Sequence, residues 1–273
     1  MSDLTHLPIG VFDSGIGGLT VARQLRRILP NENLIYLGDT ARVPYGTKSP
    51  ETVVRFACED AQFLVNQKVK AVVVACNTVS AWALPALQKR FSTPVFGVIL
   101  PGARLAVEKS RNLRIGVMGT QATIRSQAYT QAILAANAEA RVFEQACPLL
   151  VPLVEEGWTS HSVTLSVLHE YLEPLLCKGI DTLVLGCTHY PLLKRSIRAV
   201  VGRHVTLIDS AESCAKYVRE QLTALRLRSG PRARRTTLRP FVTDETARFE
   251  DLAARFLARP TEPAQKVELP PLE

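Results

Sequence analysis

Val72-Val73-Val74-Ala75-Cys76-Asn77-Thr78 is the stretch on which the fold turns. A run of apolar, mostly β-branched residues gives way at once to a thiol, an amide and a hydroxyl. A short continuous apolar run of this kind reads as a strand covered on both faces, the habit of parallel sheets. The pattern recurs at Leu183-Val184-Leu185-Gly186-Cys187-Thr188-His189. A second echo joins Ile9-Gly10-Val11-Phe12-Asp13-Ser14 to Ile115-Gly116-Val117-Met118-Gly119-Thr120. One match between apolar strands carries little weight. Two, in the same order and at similar offsets, point to two homologous halves.

Working outward, further strands are expected at Leu34–Leu37, Val95–Val98 and Val205–Ile208, beside those at Ile9–Phe12, Ala71–Ala75, Arg114–Met118 and Thr182–Leu185. Helical periodicity fills the gaps at Leu19–Leu29, Pro50–Gln67, Val79–Arg90 and Ser162–Leu176. Alternation of this kind predicts an α/β fold: two pseudo-symmetric domains, each a mostly parallel sheet flanked by helices, with the active site in the interdomain cleft. Ile208-Asp209-Ser210 closes the second half, and a strand-and-helix unit at Pro240–Leu257 is expected to return to the first. The expected division is 1–98 plus 210–259 for the first domain and 99–209 for the second. Residues 260–273, with prolines and no periodicity, read as a loose tail.

The 273 residues are 47% hydrophobic and 21% charged, proportions of a globular chain with a sizeable core. No apolar run reaches membrane-spanning length, and the start lacks a basic segment followed by an apolar one, so a cytoplasmic location without a signal peptide is expected. The net charge of +8 is localised: Arg226, Arg228, Arg232, Arg234, Arg235 and Arg239 lie in a stretch with no acidic residue. No aromatic residue interleaves with them, which argues for a solvated surface loop over a nucleic-acid partner. The cysteines Cys58, Cys76, Cys147, Cys177, Cys187 and Cys214 show no paired spacing of the zinc kind, so neither a metal nor a disulfide framework is expected.

The chemistry concentrates where strands end. Asp13-Ser14-Gly15-Ile16-Gly17-Gly18 follows one strand and opens a helix, a setting that suits a small anion. Gly15 and Gly17 also fit the first two positions of a dinucleotide fingerprint, with Asp39 in the place of a ribose-binding acid, so a nucleotide-binding oxidoreductase is a rival. Against it, Thr20 stands where the third Gly or Ala belongs. A single cysteine such as Cys76 is ordinarily a small buried apolar residue. Two, Cys76 and Cys187, at equivalent strand ends before helix starts, are placed where ligands bind and thiols are activated.

The blocks GVFDSGIGGLTV, GDTARVPYG, VVACNTVSA, VPLVEEG and LGCTHYPLL, and the closing FVTDETARFEDLAARFL, resemble the glutamate racemases of the aspartate/glutamate racemase superfamily from about residue 8 to residue 258. The Arg-rich stretch before Pro240 and the proline-bearing tail are less typical of it. The resemblance implies cofactor-independent racemisation of glutamate, with Cys76 and Cys187 as the two bases, Asp13 assisting Cys76, and Glu155 and His189 assisting Cys187. The neighbouring Glu156 competes with Glu155 for that role. It further implies that Asp13, Ser14, Tyr45, Gly46, Asn77, Thr78, Thr188 and His189 meet the substrate, that the product feeds peptidoglycan synthesis, and that the chain forms a homodimer. Arg42 lies within a matching block without a direction the sequence reveals, and Thr120 and Thr123 enter through the repeat relation to Ser14. A sister racemase acting on aspartate or a related acid would use the same two thiols.

Overall fold

The computed structural model describes residues 4–230 and 236–269; Arg232, Arg234 and Arg235 of the basic stretch lie outside them. The chain opens with β1 (Ile9–Asp13), α1 (Leu19–Ile28), β2 (Leu34–Gly38), α2 (Pro50–Asn66), β3 (Ala71–Val74), α3 (Asn77–Trp82), α4 (Leu84–Arg90) and β4 (Val95–Gly97). It continues through α5 (Ile99–Lys109), β5 (Arg114–Gly119), α6 (Gln121–Arg125), α7 (Ala128–Ala136), β6 (Arg141–Ala146), α8 (Leu150–Glu155), α9 (Ser162–Leu176), β7 (Thr182–Gly186), α10 (Lys194–Val201) and β8 (Thr206–Asp209). It closes with α11 (Ser210–Ala224), β9 (Leu238–Val242), α12 (Thr246–Leu257) and β10 (Gln265–Lys266).

Two parallel sheets result. The first runs β10-β9-β2-β1-β3-β4 and the second β6-β5-β7-β8. Within them β2-β1-β3-β4 and β6-β5-β7-β8 share one order, so the internal repeat seen in the sequence is a repeat of topology. In each sheet the chain moves to one side of the central strand and then to the other. The strand ends beside that reversal leave a crevice for ligands. The register sets those ends level: Asp13 pairs with Gly38, and Gly119 with both Ala146 and Gly186.

The helices start where local chemistry lets them. Ser49 accepts from the Thr52 amide at 3.3 Å, and Pro50 occupies the first turn of α2, where a missing N–H costs nothing. Asp209 accepts from the Ala211 amide at 2.8 Å and so caps α11. The helix expected over Val79–Arg90 is two helices. Pro85, in the first turn of α4, has no N–H to continue the bonding of α3.

Alternation along β1 divides the core. Ile9 and Val11 face a large cluster that passes through α1, α11 and α5 into the second sheet, where Ile115, Val117 and Leu185 belong to it. Phe12 faces a smaller cluster under α2 with Val72, Val74 and Phe241. The two sheets therefore share one hydrophobic interior.

Beyond that split helix, the structure differs from the sequence expectation at β6 and at the C-terminal segment. β6 was not foreseen: it is an edge strand whose residues are all half-buried or exposed, so Arg141-Val142-Phe143-Glu144-Gln145-Ala146 shows no apolar run. Residues 260–269 are not loose. Ala264 donates to Glu250 at 2.8 Å, Val267 donates to Val242 at 2.8 Å, and β10 adds a parallel edge to β9. A two-residue strand held by a few bonds leaves no periodicity to read.

Candidate active site

The carboxyl ends of both sheets open on one cavity of about 420 Å³. Its walls come from Ser14 after β1, the Val43–Thr47 segment after β2, Cys76–Thr78 after β3, Thr120 after β5, Pro148–Glu156 around α8, and Cys187–His189 after β7. Nearly every block singled out in the sequence thus contributes to a single site, and each half contributes one thiol.

Cys76 lies at the start of α3, 6% exposed. Its Sγ is 3.5 Å from Ser14 Oγ. Burial, and then the charge of Asp13, push its thiol up to about 12. Asp13 is itself buried, and desolvation raises its carboxyl above the usual range, partly offset by the positive charge of His189. One of its oxygens accepts from the Gly15 amide at 3.1 Å, while Oδ1 has no partner among the described residues. Asp13 does not line the cavity; the glycine turn lies over it, and its influence reaches the site through Cys76.

Cys187 has a different neighbour. His189 Nδ1 is 3.9 Å from its Sγ, and His189 Nε2 is 2.9 Å from Glu155 Oε1. Burial works against a charged imidazole, but the bonds to Cys187 and Glu155 prevail and lift His189 to about 10. The same bond holds Glu155 below the ordinary carboxylate range. Glu156 also faces the cavity, but it is Glu155 that reaches the imidazole. Phe256 of α12 packs edge-on against the His189 ring, with centroids 5.2 Å apart, and Arg255 donates to the Glu155 carbonyl at 3.3 Å.

The glycine turn serves packing between the halves. A methyl group on Gly17 would strike Thr188 Oγ1 and His189 Nδ1, and one on Gly18 would lie 2.5 Å from Asp13 Cβ. Thr20, the residue that breaks the dinucleotide fingerprint, donates across the seam to the Thr188 carbonyl at 2.9 Å. Asp39 cannot serve a ribose: Tyr45, Arg42 and Thr243 already use its carboxylate. Among the described residues no group of three or more His, Cys, Asp or Glu side chains is arranged to hold a metal ion.

Polar groups from both halves face the cavity: Ser14, Asn77, Thr78 and Thr188 as expected, and Thr120 through the repeat. Thr78 Oγ1 lies 2.9 Å from Thr120 Oγ1 and 3.2 Å from Thr123 Oγ1, so three hydroxyls form a triangle across the seam. Thr123 is buried behind it and does not line the cavity. Tyr45 and Gly46 do, but the Tyr45 hydroxyl is turned to Asp39 and Asp60, so these two residues can offer donors only through their backbone N–H groups. Arg42 points away from the cavity to Asp39, Glu59 and Asp60. Two contributors escaped the sequence. Arg248, exposed on α12, lines the mouth, and its charge helps hold Glu155 low. Tyr129, fully buried on α7, donates to Asn77 Oδ1 at 2.7 Å. Arg248 lies inside the closing FVTDETARFEDLAARFL block without a direction the sequence reveals, and a buried tyrosine in a helix reads as core.

Residues 9–218 match the family model described as Asp/Glu/Hydantoin racemase. The glutamate racemase of Geobacter metallireducens is 54% identical over 249 residues, which cover 91% of this chain and 92% of that one. Among solved structures, the glutamate racemase isoform RacE1 from Bacillus anthracis superposes with a TM-score of 0.94 at 41% identity, covering 97% of this chain and 99% of that one. The glutamate racemase of Francisella tularensis, solved in complex with D-glutamate, gives a TM-score of 0.90 at 40% identity, covering 97% and 98% of the two chains.

Proposed function

The chain belongs to the Asp/Glu/hydantoin racemase family, and on that premise we propose that it interconverts L- and D-glutamate by a two-base mechanism in which Cys76 and Cys187 exchange the roles of thiolate and thiol. The observation that carries this reading is the delivery of one thiol from each sheet to the same cavity. Racemisation must take the α-proton from one face and return a proton to the other. The thiolate removes the Cα proton, the bonding electrons remain on Cα and spread into the α-carboxylate, and the opposing thiol protonates the far face. At the end of a turnover the former thiolate is a thiol and the former thiol a thiolate, so the next turnover runs in reverse or awaits exchange with solvent.

The carbanion needs a preorganised setting, because fixed donors in a water-poor cavity stabilise developing charge without rearrangement. Ser14, Asn77, Thr78, Thr120, Thr188 and the amides of Tyr45 and Gly46 supply donors for the two carboxylates. His189, held charged by its bonds to Cys187 and Glu155, places positive charge beside Cys187. Asp13 acts from beneath Cys76. No pyridoxal phosphate, nicotinamide or metal takes part. D-Glutamate made this way serves peptidoglycan synthesis, and the enzyme works as a cytoplasmic homodimer, with no nucleic acid as partner. Among the described residues no helix is long and apolar enough to cross a membrane. Residues 1–98 with 210–259 form one domain and 99–209 the other, a division supported by the membership of the two sheets.

The test is racemisation of L-glutamate in heavy water after dialysis against a chelator, with aspartate assayed alongside. The first D-glutamate formed carries deuterium at Cα, while unreacted L-glutamate keeps protium. Substantial protium in early D-glutamate overturns the two-base mechanism, activity that returns only with added metal overturns the claim of cofactor independence, and a preference for aspartate overturns the substrate.

A further inference from the structure

Tyr129 touches neither thiol's side of the cavity directly, yet it is in contact with the chain neighbour of each. Its ring lies in a slot between two glycines. A methyl on Gly102 of α5 would come within 3.3 Å of Cε1, and one on Gly186 within 3.1 Å of Cε2. Gly186 immediately precedes Cys187. At the far end of the ring the hydroxyl donates to Asn77 Oδ1 at 2.7 Å, and Asn77 immediately follows Cys76. The phenol is fully buried, so the hydrogen bond is shielded from competing water.

The bond fixes the amide as well as the distance. A phenol has one proton to give, and giving it to Oδ1 commits the opposite edge of the Asn77 amide, Nδ2, to the other direction. Nδ2 is buried and has no hydrogen-bond partner among the described residues, and Asn77 lines the cavity. A buried donor without a partner costs more than most groups in a folded protein, unless something the protein binds accepts from it.

We propose that Tyr129 is a positioning residue: a rigid spacer between the two thiol-bearing strand ends, which aims the Asn77 amide donor at a carboxylate of the substrate. The proposal rests on the placement of Asn77 among the substrate donors. The ring, pinned by the two glycines, sets how far the Cys187 strand end lies from the Cys76 strand end. The hydroxyl converts that spacing into the direction of one donor.

Steady-state kinetics with both enantiomers of glutamate test it, using Tyr129→Phe, Asn77→Ala and the double variant, each checked for an intact fold by thermal melting. Phenylalanine keeps the ring in its slot and removes only the hydroxyl. In Tyr129→Phe the KM for both enantiomers rises about tenfold, as expected for loss of one oriented buried donor, while kcat moves by about threefold or less. In the Asn77→Ala background the same substitution changes KM less than about twofold, because the group it orients is gone. An unchanged KM in Tyr129→Phe beside a raised KM in Asn77→Ala overturns the positioning of Asn77 by the Tyr129 hydroxyl, and the proposal with it, and leaves the site assignment standing. An unchanged KM in Asn77→Ala removes the donor role itself, and the proposal with it. Additive losses in the double variant show that Tyr129 acts by another route and overturn the proposal equally.

Discussion

The two thiols occupy equivalent places in a repeated topology, yet they live in unlike surroundings. Cys76 has a serine hydroxyl and a buried carboxylate for company, and is held as a thiol up to about 12. Cys187 has an imidazole, itself anchored by a carboxylate and lifted to about 10. A fold can be duplicated while the electrostatics diverge: one side sets a carboxylate beside its thiol, and the other a positively charged imidazole. The resting enzyme is therefore asymmetric even though the reaction it performs is symmetric about Cα.

The comparison can be broken most severely by removing either thiol. Cys76→Ala and Cys187→Ala are each expected to lower kcat for glutamate by 10²–10⁴-fold, the usual cost of losing a proton-transfer group, with far-ultraviolet circular dichroism unchanged. Full activity in one of them would leave a single-base enzyme and make the repeat incidental to catalysis.

Next come the partners, which sharpen the contrast. His189→Asn should lower kcat by about 10–10²-fold through loss of the charge beside Cys187. Asp13→Asn should act on the other thiol in the opposite electrostatic sense. The charge of Asp13 raises Cys76, so its removal shifts alkylation of Cys76 by iodoacetamide to lower pH. Peptide mass spectrometry across a pH series reads this directly, and a shift to higher pH would contradict the assigned coupling.

A smaller effect concerns stability. His189 is raised from its ordinary 6.5 to about 10 on folding, so the stabilisation tied to its proton is complete below about pH 6.5 and is lost as pH rises through about 10. Glu155 is lowered from 4.5, so its share is present above about pH 4.5 and is lost as the pH falls. Glu155→Gln should therefore be less stable than the parent by about 1–3 kcal/mol between these limits, with the gap closing toward pH 10. Melting curves at pH 6 and pH 10 test this, and a gap that widens with alkali would refute the pairing. Smallest of all, Cys58→Ala and Cys177→Ala should leave kcat within about twofold. Cys58 is buried in α2 and Cys177 is exposed beyond α9, both away from the cavity.

Much of this was legible because strands buried on both faces must be apolar and polar strand ends must then stand out. All the central strands, both thiols and the Ser14, Asn77, Thr78, Thr188 and His189 groups follow from that contrast. What the sequence hid depends on direction. Arg42 and Tyr45 sit in a block that faces the cavity, yet Asp39, Glu59 and Asp60 draw their polar ends away from it. Asp13 ends a strand as a ligand group would, and only the packing of Gly18 against its Cβ shows it to be covered. Tyr129 and Arg248 come from helices whose periodicity is satisfied by packing alone, so nothing in their spacing marks them. β6 and β10 lacked any apolar signature because edge strands need none.

The order in which the strands are made differs from the order in which they pair. Once synthesis reaches Asp209 every strand of the second sheet has been made, while β2 in the first still lacks its neighbour β9, which begins at Leu238. During synthesis, then, the later-made half is the first to be complete, and the earlier one waits with an open edge. An unpaired edge of Leu34-Ile35-Tyr36-Leu37 is a template for wrong pairing between chains. A chain that stops short of residue 238 keeps that edge without its neighbour.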